Sequence, residues 1–325
     1  MIKKFIARRL LVAVPVLFAI TLATFLLVHA LPGSPFDAIE NKARPESAVM
    51  ILIDKYKLDR PLYVQFGSYV WNLLHGDLGI IYNDNSGQKV NDIVAQTFPV
   101  SIQLGLLSLL LGMLIGVPAG IIAAIRRNTM TDHAATFLAV LGVSIPNLVL
   151  GPVLIYIFGV ELDWFPNAFW GADPPFALGF LPPMTAKFWT HAVMPVFTLG
   201  TGISAGLARL TRAGLLDVLN EDYLRTARSK GLRERVVVVV HALKNALIPV
   251  ATVMGPLFAG VLTGSLVVEQ IFAINGMGRR FIQGIGEREY LLVTSLTLIF
   301  SVLLITGNIV VDVMYAWLDP RIRYD

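Results

Sequence analysis

Few residues in this chain of 325 could make or break bonds. It has no cysteine, which excludes disulfides, thiolate metal sites and cysteine nucleophiles. The five histidines, His29, His75, His133, His191 and His241, lie far apart, and none stands in a metal-binding spacing such as H-E-x-x-H. Ser144 has no evident base beside it, so an intramembrane enzyme finds no nucleophile–base pair and no metal pair to work with. No G-x-x-x-x-G-K-[ST] run occurs, so the chain lacks that phosphate cradle and is expected to bind no cofactor of its own. Any energy from ATP would have to arrive through another polypeptide.

Docking chemistry is better supplied. Residues 220–250 read NEDYLRTARSKGLRERVVVVVHALKNALIPV, too polar to cross a membrane and too short for a domain. Asp222 can cap a helix start and Gly231 can end one. Between them, Tyr223 to Lys230 forms a short cationic helix with Leu224, Ala227 and Leu232 on an apolar side and Arg225 and Arg228 beside it. Such an element fits a partner's groove. A basic loop resting on anionic headgroups is the competing reading.

The elements that would position this segment are greasy. The chain is 55% hydrophobic and only 15% charged, with a mean hydropathy of +0.69. A soluble domain carries about a quarter charged residues. About 20 apolar residues span a bilayer, and six such runs occur: Leu10–Ala30, Val100–Ile125, Ala134–Val160, Ala192–Leu210, Ala246–Val268 and Leu291–Leu318. The first follows Lys3, Lys4, Arg8 and Arg9 and is longer than the apolar core of a cleavable signal, about 7–15 residues, so it reads as a retained helix. The expected fold is all-α and polytopic, with six transmembrane helices. Residues 1–98 hold the first helix and a long outer loop, 99–318 a five-helix core containing the 220–250 loop, and 319–325 a tail.

Basic residues near the span ends set the orientation. The amino end, Arg126 and Arg127, the group from Arg209 to Lys244, and Arg321 and Arg323 all fall on one side of a six-span chain, which places both termini in the cytoplasm. The net charge of +4 is then a topology signal and not a nucleic-acid footprint. In lipid, small residues allow helices to approach. Gly112, Gly116 and Gly120 recur on one face of the second span, Gly260 and Gly264 on the fifth, and Gly200, Gly202 and Gly206 thin the fourth. Pro118, Pro146, Pro152, Pro195, Pro249 and Pro256 lie in or near spans, where kinks suit a moving wall or a static bundle. Charges inside the spans are few: Glu269 at the outer end of the fifth and Asp312 near the inner end of the sixth. Asp312 could pair with Arg209 or Arg212, which share a helix face. These four, with Pro146 and Asn147, are candidate pathway or ion-pair residues. The absence of a chain of acids argues against an ion-coupled secondary transporter.

In the outer loop, Pro45–Tyr56 and Pro61–Leu74 have the spacing of two amphipathic helices, including Tyr63, Phe66, Tyr69, Val70, Trp71 and Leu74. They would form either a platform for a soluble partner or a clamp on the bundle. Trp164, Phe165, Phe169, Trp170, Phe188 and Trp189 border the second outer loop and read as headgroup anchors.

The 220–250 segment resembles the EAA loop of permease subunits from ATP-binding-cassette importers. That pattern is E-A-A, three residues, G, nine residues, then I-x-L-P. Arg225-Thr226-Ala227 takes the first block, Gly231 the glycine, and His241-Ala242-Leu243-Lys244 the last. Arg225, Thr226, His241 and Lys244 depart from the general pattern but match the peptide-importer branch, as do Asn245 and Pro249. Other stretches are similar to the B-type permease of dipeptide and oligopeptide importers: residues 31–35, LPGSP; 58–61, LDRP; 75–79, HGDLG; 144–147, SIPN; 272–278, FAINGMG; and 319–323, DPRIR. Asn275 stands where that family often has proline. The resemblance covers nearly the whole chain. It implies a multi-pass inner-membrane subunit of a prokaryote, paired with a second six-helix permease to form the pathway. Two cytoplasmic ATPases would use ATP and Mg²⁺, and a soluble binding protein would deliver peptide substrate. Nickel complexes or glutathione-like solutes are the alternative cargo. The short cationic helix would be the coupling helix. Arg225 and Arg228 would meet acceptors on the ATPase, Ala227 would allow its close approach, and Gly231 would turn the chain back toward the fifth span.

Overall fold

A computed structural model describes residues 2–31, 57, 59–81, 88–262 and 265–318; the side chains of 2–6, 262 and 311–318 fall outside the description. The helices are α1 (Ile2–His29), α2 (Leu62–Leu74), α3 (Val90–Ile125), α4 (Met130–Ser144), α5 (Asn147–Leu154), α6 (Ala186–Val218), α7 (Asp222–Ser229), α8 (Ile248–Leu262), α9 (Leu266–Ile271), α10 (Met277–Gly286) and α11 (Tyr290–Leu318). α5 widens into π-helical turns over Ile155–Glu161, and residues 234–246 are helical in three short pieces. Among the described residues, extended pairing is limited to two isolated bridges, Ile80–Lys89 and Ala177–Leu181.

Five stretches are long and apolar enough to cross a bilayer: Ala7–His29, Val90–Ile125, Ala186–Val218, Ile248–Ile271 and Tyr290–Val310. The pair α4–α5, bent by 99° between Ser144 and Asn147, is long and apolar enough when taken together, and makes a sixth if its two helices form one broken span. The expected span Ala134–Val160 is thus two helices that break at residues 145–146. Pro146 has no N–H to give and restricts the residue before it, and Ile145 is extended (φ −85°, ψ 113°). Pro118 and Pro195, by contrast, sit inside continuous helices. Leu11, Leu27, Leu114, Phe137 and Leu148, all more than half exposed, coat the outside, as a lipid-facing surface requires.

Of the two amphipathic helices expected in the long loop, the first lies outside the described residues. The second is α2, laid on α1 and α11. Its Tyr69 is buried, and the hydroxyl lies 3.0 Å from Ser295 Oγ. Burial pushes that phenol up to about 12. Phe18, Phe25 and Phe66 pack edge to face beside it. α2 thus clamps the bundle through Tyr69, while Tyr63, Trp71 and Leu74 stay exposed.

The bundle is organised by α3 and α6, which run alongside each other. Lipid tails are as apolar as leucine, so close contact must come from shape. A β-carbon on Gly112 would stand 2.5 Å from Ile203 Cγ2, one on Gly116 would run into the Ser204 carbonyl, and one on Gly120 would sit 2.5 Å from the Ala208 carbonyl. All three α3 glycines therefore face α6. Gly105, passed over in the sequence, lies in the same way against the Val261 carbonyl of α8. Gly260 is exposed and a β-carbon there meets nothing, so it does not pack as expected; Gly264 lies outside the described residues.

At the end of the bundle rich in Arg and Lys (the basic end), one ion pair ties α4 to α6. Arg212 donates from Nε and Nη2 to the two oxygens of Asp132 at 2.7 and 2.8 Å, and the Asn128 N–H donates to the same carboxylate. Asp132 is 2% exposed. The partner of Arg212 among the described side chains is thus Asp132. Asp132 can reach it because it opens α4 directly after the tight turn that ends α3. Arg209 is exposed on the same helix, and the Asp312 side chain is outside the description.

Two stability predictions follow from this packing. Gly116→Val should lower the detergent-solubilised chain's stability by about 1–3 kcal/mol, as overpacking does, while Gly260→Ala stays within about 0.5 kcal/mol of the parent. Asp132→Asn strands the Arg212 charge and should cost about 3 kcal/mol. Thermal melting measures all three.

Candidate functional site

The polar loop between α6 and α8 folds onto the basic end. Glu221 is the extended residue that starts α7, its carbonyl accepting from the Leu224 N–H at 3.1 Å. Asp222, expected as the cap, is instead the first helical residue, where a carboxylate suits the helix dipole. It pairs with Arg225 at 3.2 Å, both side chains largely exposed. Leu224 and Ala227, three apart, face inward on a core of Ala124 from α3, Leu215 from α6, and Val237, Val238, Ala242 and Ala246 from the returning chain. Ala227 therefore permits close approach to its own chain, not to a partner as expected. Leu232 is 39% exposed and leaves that apolar side.

Polar contacts of two side chains, Tyr223 and Arg228, fix α7 to its surroundings. The Asn245 amide donates to the Tyr223 hydroxyl at 2.9 Å, and that hydroxyl donates to the His241 carbonyl at 3.5 Å. Arg228 grips Glu234 at 3.1 and 2.9 Å and the Leu219 carbonyl at 3.3 Å. The guanidinium holds the Glu234 carboxyl below its ordinary range, so this exposed pair stands at neutral pH and opens as pH falls through the lowered value. Arg228 is thereby committed within the chain. The face left outward is Arg225, Thr226, Ser229 and Lys230, all exposed.

The helix stops on a glycine-dependent turn. Gly231 has φ +76°; its N–H donates to the Arg228 carbonyl at 2.9 Å, and the Leu232 N–H donates to the Ala227 carbonyl at 3.4 Å. This is a Schellman arrangement, which favours glycine at the left-handed position. Leu243 is half-buried beside the cluster, and Gly214 of α6 lies directly against the Ala246 carbonyl, so the returning chain is seated backbone to backbone.

At the opposite end, Glu269 is fully buried. Its carboxylate accepts from Ser101 Oγ at 2.8 Å and from the Arg279 N–H at 3.1 Å, while Ser101 accepts from the Met277 N–H at 2.9 Å. Gly276 and Gly278 lie so close to it that a β-carbon on either would collide. Glu269 therefore pins the turn between α9 and α10 to α3, a structural role. Pro146 and Asn147 sit at the α4–α5 bend. Two of the aromatics read as headgroup anchors are instead core: Trp170 and Phe188 are 4% and 0% exposed and pack edge to face at 5.2 Å. Trp164 and Phe169 are exposed. Beside Trp170 lies a cleft of about 270 Å³, lined in part by Asp173, Lys187, His191 and Asn275.

Sequence reasoning missed Asp132, Ser101 and Gln103. Asp132 was legible as an acid at the head of an apolar run, within reach of a basic helix end; the other two carried no signal beyond being polar in a span.

The chain matches the model of the binding-protein-dependent transport system inner membrane component over residues 116–324, and that of the N-terminal membrane component of such systems over residues 1–105. It is 41% identical over 323 residues to the oligopeptide transport system permease protein OppB of Salmonella typhimurium, covering 99% of both chains. It is 42% identical over 324 residues to OppB of Escherichia coli K12, again covering 99% of each. The glutathione transport system permease protein GsiC of Escherichia coli is 40% identical over 320 residues, covering 98% of this chain and 99% of that one. Two solved structures share the fold. A crystal structure of an amino acid ABC transporter has a TM-score of 0.50 and 18% identity, covering 67% of this chain and 90% of that one. An inward-facing MetNI methionine ABC transporter has a TM-score of 0.51 and 15% identity, covering 69% and 94%. With five to six apolar spans, a buried-and-basic loop helix and full-length matches of this kind, the chain belongs to the family of inner-membrane components of binding-protein-dependent transport systems.

Proposed function

We propose that this chain is the permease half of an ATP-driven peptide importer, and that α7 is the lever through which a cytoplasmic ATPase moves it. The observation that carries this reading is the two-faced build of α7: Leu224 and Ala227 are locked into the ends of α3 and α6, while Arg225, Thr226, Ser229 and Lys230 are offered outward. A helix so anchored transmits a push to the spans instead of swinging on its linkers. The basic end is then cytoplasmic, as are both termini. A second permease completes the pathway, ATP and Mg²⁺ are bound by the ATPases, and a soluble binding protein brings the peptide to the opposite face. Peptide is the favoured cargo because the OppB relatives match over the full chain; the near-equal match to GsiC supports glutathione, itself a peptide, within the same class.

ATP binding closes the ATPases, α7 follows, and the packed helices rock between two arrangements, as hinge and shear motions do. Arg225, in an exposed ion pair with Asp222 of its own helix, and Lys230 are the cations placed to meet acceptors on the ATPase, while Arg228 is held by Glu234 and the Leu219 carbonyl. Tyr223, His241 and Asn245 keep α7 aligned on the returning segment.

The assembled transporter in proteoliposomes should accumulate labelled tri-alanine when ATP is supplied, and a protonophore should not abolish it; uptake that follows the proton gradient without ATP would contradict the proposal. Within that system, Gly231→Pro removes an N–H donor and demands φ near −65° where the chain has +76°. Ala227→Asp buries an unpaired carboxylate, which costs several kcal/mol. Both should cut uptake roughly tenfold or more, about 1.4 kcal/mol in coupling, while the chain still inserts and the ATPases still hydrolyse. Normal uptake by both variants would remove the lever assignment.

A further inference from the structure

The cleft beside Trp170, at the end of the bundle opposite α7, carries a role the lever does not. We propose that it receives the charged ends of a short unblocked peptide, an inference that rests on the peptide reading above. Its walls are held in place. The Trp170 indole N–H donates to Gln103 Oε1 at 2.7 Å, and the Phe169 N–H donates to the Phe272 carbonyl at 2.8 Å. Phe169 (φ 70°), Gly171 (φ 76°) and Ala273 (φ 51°) all line this cleft, and all three occupy the left-handed region. A non-glycine residue there costs of order 1–3 kcal/mol and persists only where its surroundings hold it. Two such residues on one cavity mark a shape that the rest of the fold maintains.

The polar groups of the cleft are the complement of a zwitterion. Lys187 and Asp173 are exposed and opposite in charge, and neither has an ion-pair partner among the described residues. His191 Nδ1 lies 2.7 Å from the Lys187 carbonyl. A carbonyl only accepts, so Nδ1 carries a proton and Nε2 is the ring atom left for a ligand. Asn275 accepts from Arg280 at 3.2 Å through Oδ1, which leaves its amide N–H groups to donate. Lys187 therefore suits a peptide carboxylate, Asp173 a terminal ammonium, and His191 and Asn275 the peptide groups between. The volume of about 270 Å³ holds roughly nine waters at about 30 Å³ each, room for a peptide end of two or three residues. A second cleft of about 540 Å³ shares Pro174 and adds Gln88, Asp92 and Gln96, so a longer chain has somewhere to continue.

The test is saturation-transfer NMR on the assembled transporter in nanodiscs, without binding protein. The probes are tri-alanine and its N-acetylated, C-amidated analogue. Wild type should saturate the tri-alanine methyl groups at least fivefold more than those of the blocked analogue, and the Asp173→Asn/Lys187→Gln double variant should lose that preference. Equal signals for free and blocked peptide in wild type, or an unchanged preference in the variant, would overturn the inference. Uptake of tri-alanine by wild-type proteoliposomes separates this inference from the reading beneath it. If wild type takes up no peptide, the reading fails; if it takes up peptide and the NMR preference is absent, only the cleft assignment fails.

Discussion

Everything in this bundle depends on how closely α3 can approach α6. In lipid there is no hydrophobic penalty for keeping two greasy helices apart, so the contact needs surfaces that fit. Gly112, Gly116 and Gly120 bring the α3 backbone onto Ile203, Ser204 and Ala208, and Gly200 on α6 answers by sitting against Leu111. The pair forms a spine about 50 Å long, estimated at 1.5 Å per residue, that carries both functional ends. At the basic end it presents Ala124 and Leu215, the seat of α7. At the other end it presents Val100, Ser101 and Gln103, which hold the Glu269 turn and the Trp170 cleft.

The two ends are built by different means. At the basic end, apolar packing locks α7 down, and the partly exposed polar contacts of Tyr223 with Asn245 and of Arg228 with Glu234 only align it. At the opposite end a buried carboxylate and a buried amide do the holding: Glu269 accepts from Ser101 Oγ and the Arg279 N–H, and Gln103 accepts from the Trp170 indole N–H. A lever must transmit force through packed side chains that cannot be compressed, whereas a mouth that admits polar cargo can be lined by polar groups. This division fits a wall that is pushed from one side and receives solute on the other.

Much of this was legible in the sequence because lipid imposes simple rules. Five of the six apolar runs are spans in the structure and the sixth run is the bent α4–α5 pair, while a four-residue glycine repeat marked the face of α3 that meets α6. The 220–250 loop announced itself by polarity, with Gly231 at the position where the turn requires a left-handed residue. What was not legible depended on third partners. Arg212 meets Asp132 because the tight turn after α3 brings that carboxylate to it, a proximity that spacing along the chain does not announce. Ala227 reads as a small outward residue until Val237 and Val238 fold back over it. Gly260 shares the spacing of the α3 glycines but faces open space, because spacing identifies a helix face and not what lies opposite. Trp170 and Phe188 have the composition of interfacial anchors, and only the loop's tie to Gln103 and Phe272 takes them inside.

The claim that α7 moves as one piece with the inner ends of α3 and α6 has a direct test, made clean by the absence of native cysteine. Arg127→Cys at the end of α3 and Arg225→Cys on α7 accept a spin-label pair, and electron–electron double resonance measures their separation in the assembled transporter with and without ATP. A rigid lever requires the distance to hold within about 2 Å through the cycle, the scale of a small helix shift, while a label pair across the two permeases changes. A change of about 5 Å or more between residues 127 and 225, one helical turn, would show α7 swinging free of the spans and would contradict the coupling described above.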